Sequence, residues 1–303
     1  MLSSAGYIVN GVALLCLVIA SITDVKTREV PDWLNYGLIS LGLLFNAAYS
    51  VIIGSWMPIL FSIAGAVLLA GLALAMFYTG QWGGGDSKLI IGLGALLGLP
   101  LSRTAPFISI NNPPMLVNFL MNLVIAGTAY SLVWCVVLAV KNRRRFTQEL
   151  KRNLARLKKV KLAIIAVSVV MLAGFAFSES LELRLILLSA IIVMLSTFYL
   201  WVFVRSIERS SMLKLVEPER LTEGDWIARD VIVGKKRICG PSDLGISREQ
   251  IRELIRLKQR GRVKKVLVKE GVPFVPSFLL SFIMSLSMGN IMLNLVMGAL
   301  QLS

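Results

Sequence analysis

Histidine is missing altogether from the 303 residues. Its absence removes the Ser-His and Cys-His pairs that activate many nucleophiles, and the imidazole ligands of most catalytic zinc sites. Cysteine is nearly as scarce. Cys16, Cys135 and Cys239 are far apart, two of them inside apolar runs, and none belongs to a C-x-x-C pair. That pattern supports neither a disulfide framework nor a zinc knuckle, so no metal and no cofactor are expected. Acids are few as well, 17 Asp and Glu against 32 Lys and Arg, leaving a net charge of +15. An acid beside an apolar run therefore stands out.

What is plentiful is apolar surface. Hydrophobic residues make up 56% of the chain and the mean hydropathy is +0.76, values of a multi-span membrane protein rather than a soluble domain. Apolar runs lie at about 7–23, 33–53, 57–79, 88–101, 116–140, 162–177, 184–204 and 274–300, and a span needs roughly 20 such residues. The first run lacks a preceding basic region, so it reads as a span and not as a cleaved signal. With the N-terminus outside, eight spans leave inside connections at 24–32, 80–88, 141–161 and 205–272. These hold 2, 1, 10 and 17 basic residues, and only Arg103 and Arg184 fall outside. This is the positive-inside pattern. It accounts for the net charge without nucleic acid, which is not an expected partner.

Two inside connections have structure of their own. In 141–161, Phe146, Leu150, Leu154 and Leu157 recur at helical spacing among Lys and Arg, the pattern of an interfacial helix on anionic lipids. In 205–272, Ile227 to Val233 and Val263 to Val268 are β-like. Ser247-Arg248-Glu249-Gln250 fits a capping box, Ile251, Leu254 and Ile255 give the following helix an apolar stripe, and Gly261 suits its end. A small α/β module is expected there. Pro273 and Pro276 mark the start of the last span.

Two acids then draw attention. Asp24 ends the first span and Asp86 begins the fourth, and the Lys and Arg distribution puts both on the inside face. Carboxylates at membrane depth are rare and point to function. Two that approach closely do not both ionise easily; one keeps a proton while the other acts as base on a water. Gly83, Gly84 and Gly85 precede Asp86, giving backbone freedom to take positive φ and to let an extended substrate strand approach. A helix from Asp86 to Leu101 would rise roughly 22 Å, short of a hydrocarbon core about 30 Å thick, so Asp86 is expected in a recessed pocket. A Ser-Lys dyad is disfavoured, because Ser87 and Lys88 are adjacent and do not face each other on a helix.

Gly83-Gly84-Gly85-Asp86 matches the G-x-G-D motif of intramembrane aspartic proteases, and Asp24-Val25-Lys26-Thr27-Arg28-Glu29-Val30-Pro31-Asp32 resembles the first catalytic region of their prepilin peptidase branch. Over roughly residues 7–101 the chain resembles archaeal preflagellin and prepilin peptidases, and Glu270 to Pro276 resembles an extension of archaeal members. The resemblance implies a membrane aspartic endopeptidase with Asp24 and Asp86 as catalytic pair. It implies removal of short basic leader peptides from pilin- or flagellin-like precursors at the cytoplasmic face. Bacterial relatives that methylate the new N-terminus carry a cysteine-rich zinc module; this chain lacks that cysteine set, so methyl transfer is not expected. Thr23 before Asp24 disfavours the presenilin-like branch, which usually has tyrosine there. Glu29 and Asp32, close after Asp24, are candidates to receive the leader's cations.

The expectation is thus an all-α polytopic membrane protein with a small cytoplasmic α/β insertion. It divides into a catalytic core of helices 1–5 at 1–140, a basic linker at 141–161, helices 6 and 7 at 162–204, the α/β domain at 205–272 and a last transmembrane helix at 273–303. The alternatives are a cation- or proton-coupled transporter or channel using the same aspartates, and a silent membrane assembly platform using the basic loops.

Overall fold

The structure, a computed structural model, describes residues 2–99 and 113–301; Arg103 and the expected end of the fourth run at Leu101 lie outside the described residues. In chain order it runs α1 (Leu2–Thr27), α2 (Asp32–Ile53), α3 (Met57–Tyr78), α4 (Gly84–Leu97), α5 (Met115–Lys141), α6 (Arg143–Arg156), α7 (Lys158–Phe177) and α8 (Leu181–Ile207). A single π-helical turn (Glu208–Met212) leads to β1 (Leu213–Val216), β2 (Trp226–Ile227), β3 (Val231–Val233), β4 (Lys236–Cys239), α9 (Arg248–Gln259) and β5 (Val266–Lys269). The chain closes with α10 (Val275–Met288) and α11 (Ile291–Gln301). It is a polytopic α-helical membrane protein with an α/β insertion. Among the described residues six helices are long and apolar enough to cross a membrane: α1, α2, α3, α5, α7 and α8. The pair α10 and α11, bent by 50°, makes a seventh if it counts as one span. The fourth expected span corresponds to α4, whose 14 residues rise only about 21 Å.

Two compact units are present, one of residues 1–132 and 271–303, the other of 133–270. In the first, α4 is enclosed by protein: Leu89, Ile90, Leu93 and Ala95 are fully buried. Its neighbours come unusually close because glycines face one another. A Cβ on Gly42 of α2 would lie 2.6 Å from the Leu96 amide nitrogen, and one on Gly65 of α3 would lie 3.0 Å from the Gly98 Cα. Leu38 of α2 fills the hollow at Gly92. Any side chain at these glycines would push backbone apart, and interiors at this density relax little. Beside them, α1 and α10 pack together with α5; Phe119, Phe278 and Phe282 are fully buried, and Trp82 meets Phe278 edge-on at 5.4 Å.

In the second unit α7 has no buried residue, and Val167, Val169, Val170 and Leu172 are exposed. That is the surface a lipid-facing helix presents. The stripe expected in 141–161 is present on α6, where it packs on α8: Phe146 meets Phe203 at 5.6 Å. The buried Asn153 donates to the Ser206 hydroxyl at 3.0 Å and accepts from Arg209 at 3.0 Å. The α/β module has an antiparallel sheet in the order β1-β5-β2 and a separate β3-β4 hairpin bulged at Val231/Ile232. The run expected as one strand from 227 to 233 is thus divided between two sheets. The capping box forms as read: the Gln250 amide donates to Ser247 Oγ at 3.3 Å, and the Ser247 amide to Gln250 Oε1 at 2.9 Å. Leu254 of α9 is fully buried with Ile227, Ile246 and Val266, and Gly261 past the helix end has φ +69.

Candidate active site

Asp24 lies in the last turn of α1 on a stripe with Leu17, Ala20 and Ser21, all buried. The sequence offers a polar carboxylate at this depth only because something meets it. That partner is the start of α10: the Val275 backbone N–H donates to Asp24 Oδ2 at 2.9 Å, and the Phe274 N–H also points to this carboxylate. Val275 is the first residue of α10. The first amides of a helix have no partner within it and favour negative charge.

Asp86 comes from the third position of α4. Its Oδ2 accepts the Gly83 N–H at 3.3 Å, which closes the helix start on itself as a capping box closes it. Although 62 positions separate them in sequence, Asp24 and Asp86 feel each other's charge. Tyr130 of α5 and Arg28 share this environment, since the charges of Asp24 and Arg28 both act on the Tyr130 hydroxyl. Arg28 ends α1 in the left-handed region, φ 63, a conformation that costs an L-residue roughly 1–2 kcal/mol. From there its guanidinium donates to the Gly271 carbonyl at 3.0 Å. The end of α1 is therefore tied to the segment before α10 at two points.

The three glycines behave differently from their sequence expectation. None of Gly83, Gly84 and Gly85 has positive φ; Gly80 supplies the left-handed turn, φ +70. Gly84 and Gly85 already belong to α4. Close approach is real at Gly85, but by the chain itself: a Cβ there would lie 3.2 Å from the nitrogen and the Cβ of Val30. Around Gly83 and Gly84 a Cβ meets only Asp86 Oδ2 at 3.7 Å and the Phe77 ring at 3.9 Å.

Glu29 is exposed in the α1–α2 connection. Asp32 sits in the first turn of α2 and pairs with Lys88 of α4 at 2.7 Å, while that ammonium lies 5.1 Å from the Tyr36 ring centre. Lys88 was no part of the sequence reading of Asp32. Phe274 and Val275 were missed as partners of Asp24 too. Their only sequence signal was the pair of prolines around them. Cys16, Cys135 and Cys239 are buried and unbridged. Among the described residues no three Asp, Glu or Cys side chains converge as a metal would need.

Residues 11–139 match the type IV leader peptidase family. The preflagellin peptidase of Methanococcus voltae is 39% identical over 90 residues, 30% of this chain and 38% of that protein. The preflagellin peptidase of Methanocaldococcus jannaschii is 34% identical over 139 residues, 45% of this chain and 57% of that protein. The prepilin peptidase EppA of Methanothermobacter thermautotrophicus is 29% identical over 194 residues, 61% of this chain and 50% of that protein. The chain thus spans 38 to 57% of the length of these curated relatives.

Proposed function

We propose, from the match of residues 11–139 to the type IV leader peptidase family, that the chain is a membrane aspartic endopeptidase with Asp24 and Asp86 as its catalytic pair. Its substrates are pilin- or flagellin-like precursors with short basic leaders, cut at the cytoplasmic face. The observation that supports this reading is that Asp24 of α1 and Asp86 of α4 are each held by a peptide N–H, with Asp24 near enough for its charge to act on Asp86.

In the proposed reaction the two acids share one proton. The ionised carboxylate takes a proton from water as its oxygen attacks the scissile carbonyl carbon, and the protonated acid gives its proton to the carbonyl oxygen. The product is a neutral diol. On collapse, the first acid protonates the departing amine as the C–N bond breaks, and the second takes a diol proton back, restoring the start. The Lys and Arg pattern supports the cytoplasmic face, and anionic lipids are the surface those residues suit.

The test is cleavage in detergent of a precursor carrying a Lys- and Arg-rich leader before an apolar helix, with the new N-terminus read by mass spectrometry. Cleavage should follow a bell-shaped pH profile, whose two values belong to the pair. A rate that climbs steadily with pH and never falls would remove the two-acid mechanism.

A further inference from the structure

The start of α10 lies at residue 275, outside the residues matched to the family, yet it meets one of the proposed catalytic acids directly. We propose that the first amides of α10 are a positioning element which keeps Asp24 the ionised base and leaves Asp86 to carry the shared proton. This rests on the endopeptidase reading above.

The argument is an inventory of donors. The Val275 N–H reaches Asp24 Oδ2 at 2.9 Å in a buried setting, and the Phe274 N–H adds to it. Among the described residues Asp86 accepts one amide, from Gly83, at 3.3 Å. A hydrogen bond to a carboxylate favours its charged form, and the short one at Asp24 does so more than the long one at Asp86. The helix start adds its positive end at Asp24. At the start of α10, Pro276 has no N–H to offer and the Ser277 N–H is taken by the Phe274 carbonyl at 2.9 Å. The free donors of that turn are thereby aimed at Asp24. Among the described residues the charged and titratable groups facing Asp24 are Asp86 from α4, Arg28 at the end of α1 and Tyr130 from α5. Arg28 also favours the ionised form of Asp24, and its bond to Gly271 holds the segment that leads into α10.

Asp24 therefore activates the water, and Asp86 protonates the carbonyl oxygen. The C-terminal segment 271–303 acquires a role in the reaction: it decides which acid holds the proton without touching the substrate.

The test removes one donor and leaves the side chain. Val275 is replaced by its α-hydroxy acid, so that an ester oxygen stands where the N–H was. Val275→Ala keeps the N–H and trims the packing. Val275→Pro also deletes the donor, as a coarser variant, since proline disfavours the αR backbone of Phe274 before it. Activity is followed on a synthetic peptide with a Lys- and Arg-rich leader and an apolar segment, in the full-length protein. The ester and proline forms should lose about tenfold in kcat with KM little changed, and the acidic limb of the kcat profile should move up by about one pH unit. Val275→Ala should leave that limb in place. An unchanged limb in the ester form overturns the proposal, whether kcat falls or not, since packing alone would lower kcat without moving it. So does an equal shift in Val275→Ala. Asp24→Asn and Asp86→Asn run beside them separate the two readings. If either still cleaves, the endopeptidase mechanism fails; if both are silent and donor deletion has no effect, only the positioning role fails.

Discussion

Two pairs of carboxylates in this chain meet different partners. In the α/β module, Asp230 and Asp243 both bind Arg237, at 2.8 Å and 2.9 Å, in partly exposed positions. In the first compact unit, Asp24 and Asp86 are held by peptide N–H groups, at 2.9 Å and 3.3 Å, and the Asp24 charge acts on Asp86. A guanidinium placed between two acids attracts both and offsets part of their repulsion, and it helps hold Asp243 below the ordinary carboxylate range. Amide donors steady a carboxylate without supplying a full charge. In the proposed mechanism, two acids so held settle their repulsion by sharing a proton. The first arrangement serves stability; the second is the one a two-acid hydrolase needs.

The comparison breaks most easily at its strongest claim. Asp24→Asn and Asp86→Asn should each lower leader cleavage by about 10³-fold or more, because an amide takes no part in proton transfer. Asp230→Asn and Asp243→Asn should stay within about twofold of the parent, the usual range for substitutions at partly exposed positions. Parallel rate measurements on membranes with matched protein levels decide it. Equal losses in the two pairs would erase the distinction.

Next in size is the helix start that presents Asp86. Gly85→Val forces a branched side chain against Val30, where even a Cβ would lie 3.2 Å away. Overpacking of this kind costs about 1–3 kcal/mol, so cleavage should fall roughly tenfold and thermal inactivation should come earlier. Gly84→Val meets only the Phe77 ring at 3.9 Å and should cost less. A larger loss at Gly84 than at Gly85 would mean that Gly84, and not the Val30 contact, sets the geometry.

Much of this was legible in the sequence for physical reasons. The spans follow from runs of apolar residues, and α9 from a capping box with a stripe behind it. Asp24 and Asp86 were visible because acids beside such runs are rare. The glycines were half legible. Their need to let backbone come close is real at Gly85, but positive φ falls at Gly80, which a triplet of glycines does not announce. What no local pattern carries is the link from Asp24 to Val275, 251 positions away: the donor is a backbone amide, and every residue but proline has one. Lys88 was dismissed as a partner of Ser87, correctly, but sequence spacing says nothing of Asp32, which it meets across α2 and α4.

That pairing reshapes the expectation for the leader's cations. Asp32 already holds Lys88, with 67% of the Asp32 side chain and 36% of Lys88 exposed; an exposed pair contributes only about 0–1 kcal/mol, so an incoming Lys or Arg can compete for the carboxylate. Glu29→Lys with Asp32→Lys should lower kcat/KM for a basic leader by about fivefold, and a leader with Lys changed to Glu should regain part of it. Four enzyme–leader combinations give the coupling. The same factor with both leaders means that these acids do not read the leader.

The smallest effect belongs to the module's own pair. Burial opposes the charge on Asp243, but the Arg237 guanidinium, the Gly240 N–H at 2.9 Å and the Gln250 amide at 3.4 Å outweigh it and hold this carboxyl below the ordinary range. A carboxyl lowered on folding stabilises the fold at every pH above its unfolded value, near 3.9. That contribution fades as acid protonates it in both states. The turn from Gly240 to Ser247 should therefore loosen as pH falls through about 4 and below. Hydrogen exchange of peptides spanning 236–246 in the full-length protein measures this directly. Asp243→Asn should raise exchange modestly at pH 7, where the parent is charged, and the gap between variant and parent should narrow toward pH 3. If the gap stays constant across that range, the turn is held by its Asp243-independent contacts, and the cation-bridged pair contributes no pH-dependent stability of the kind argued here.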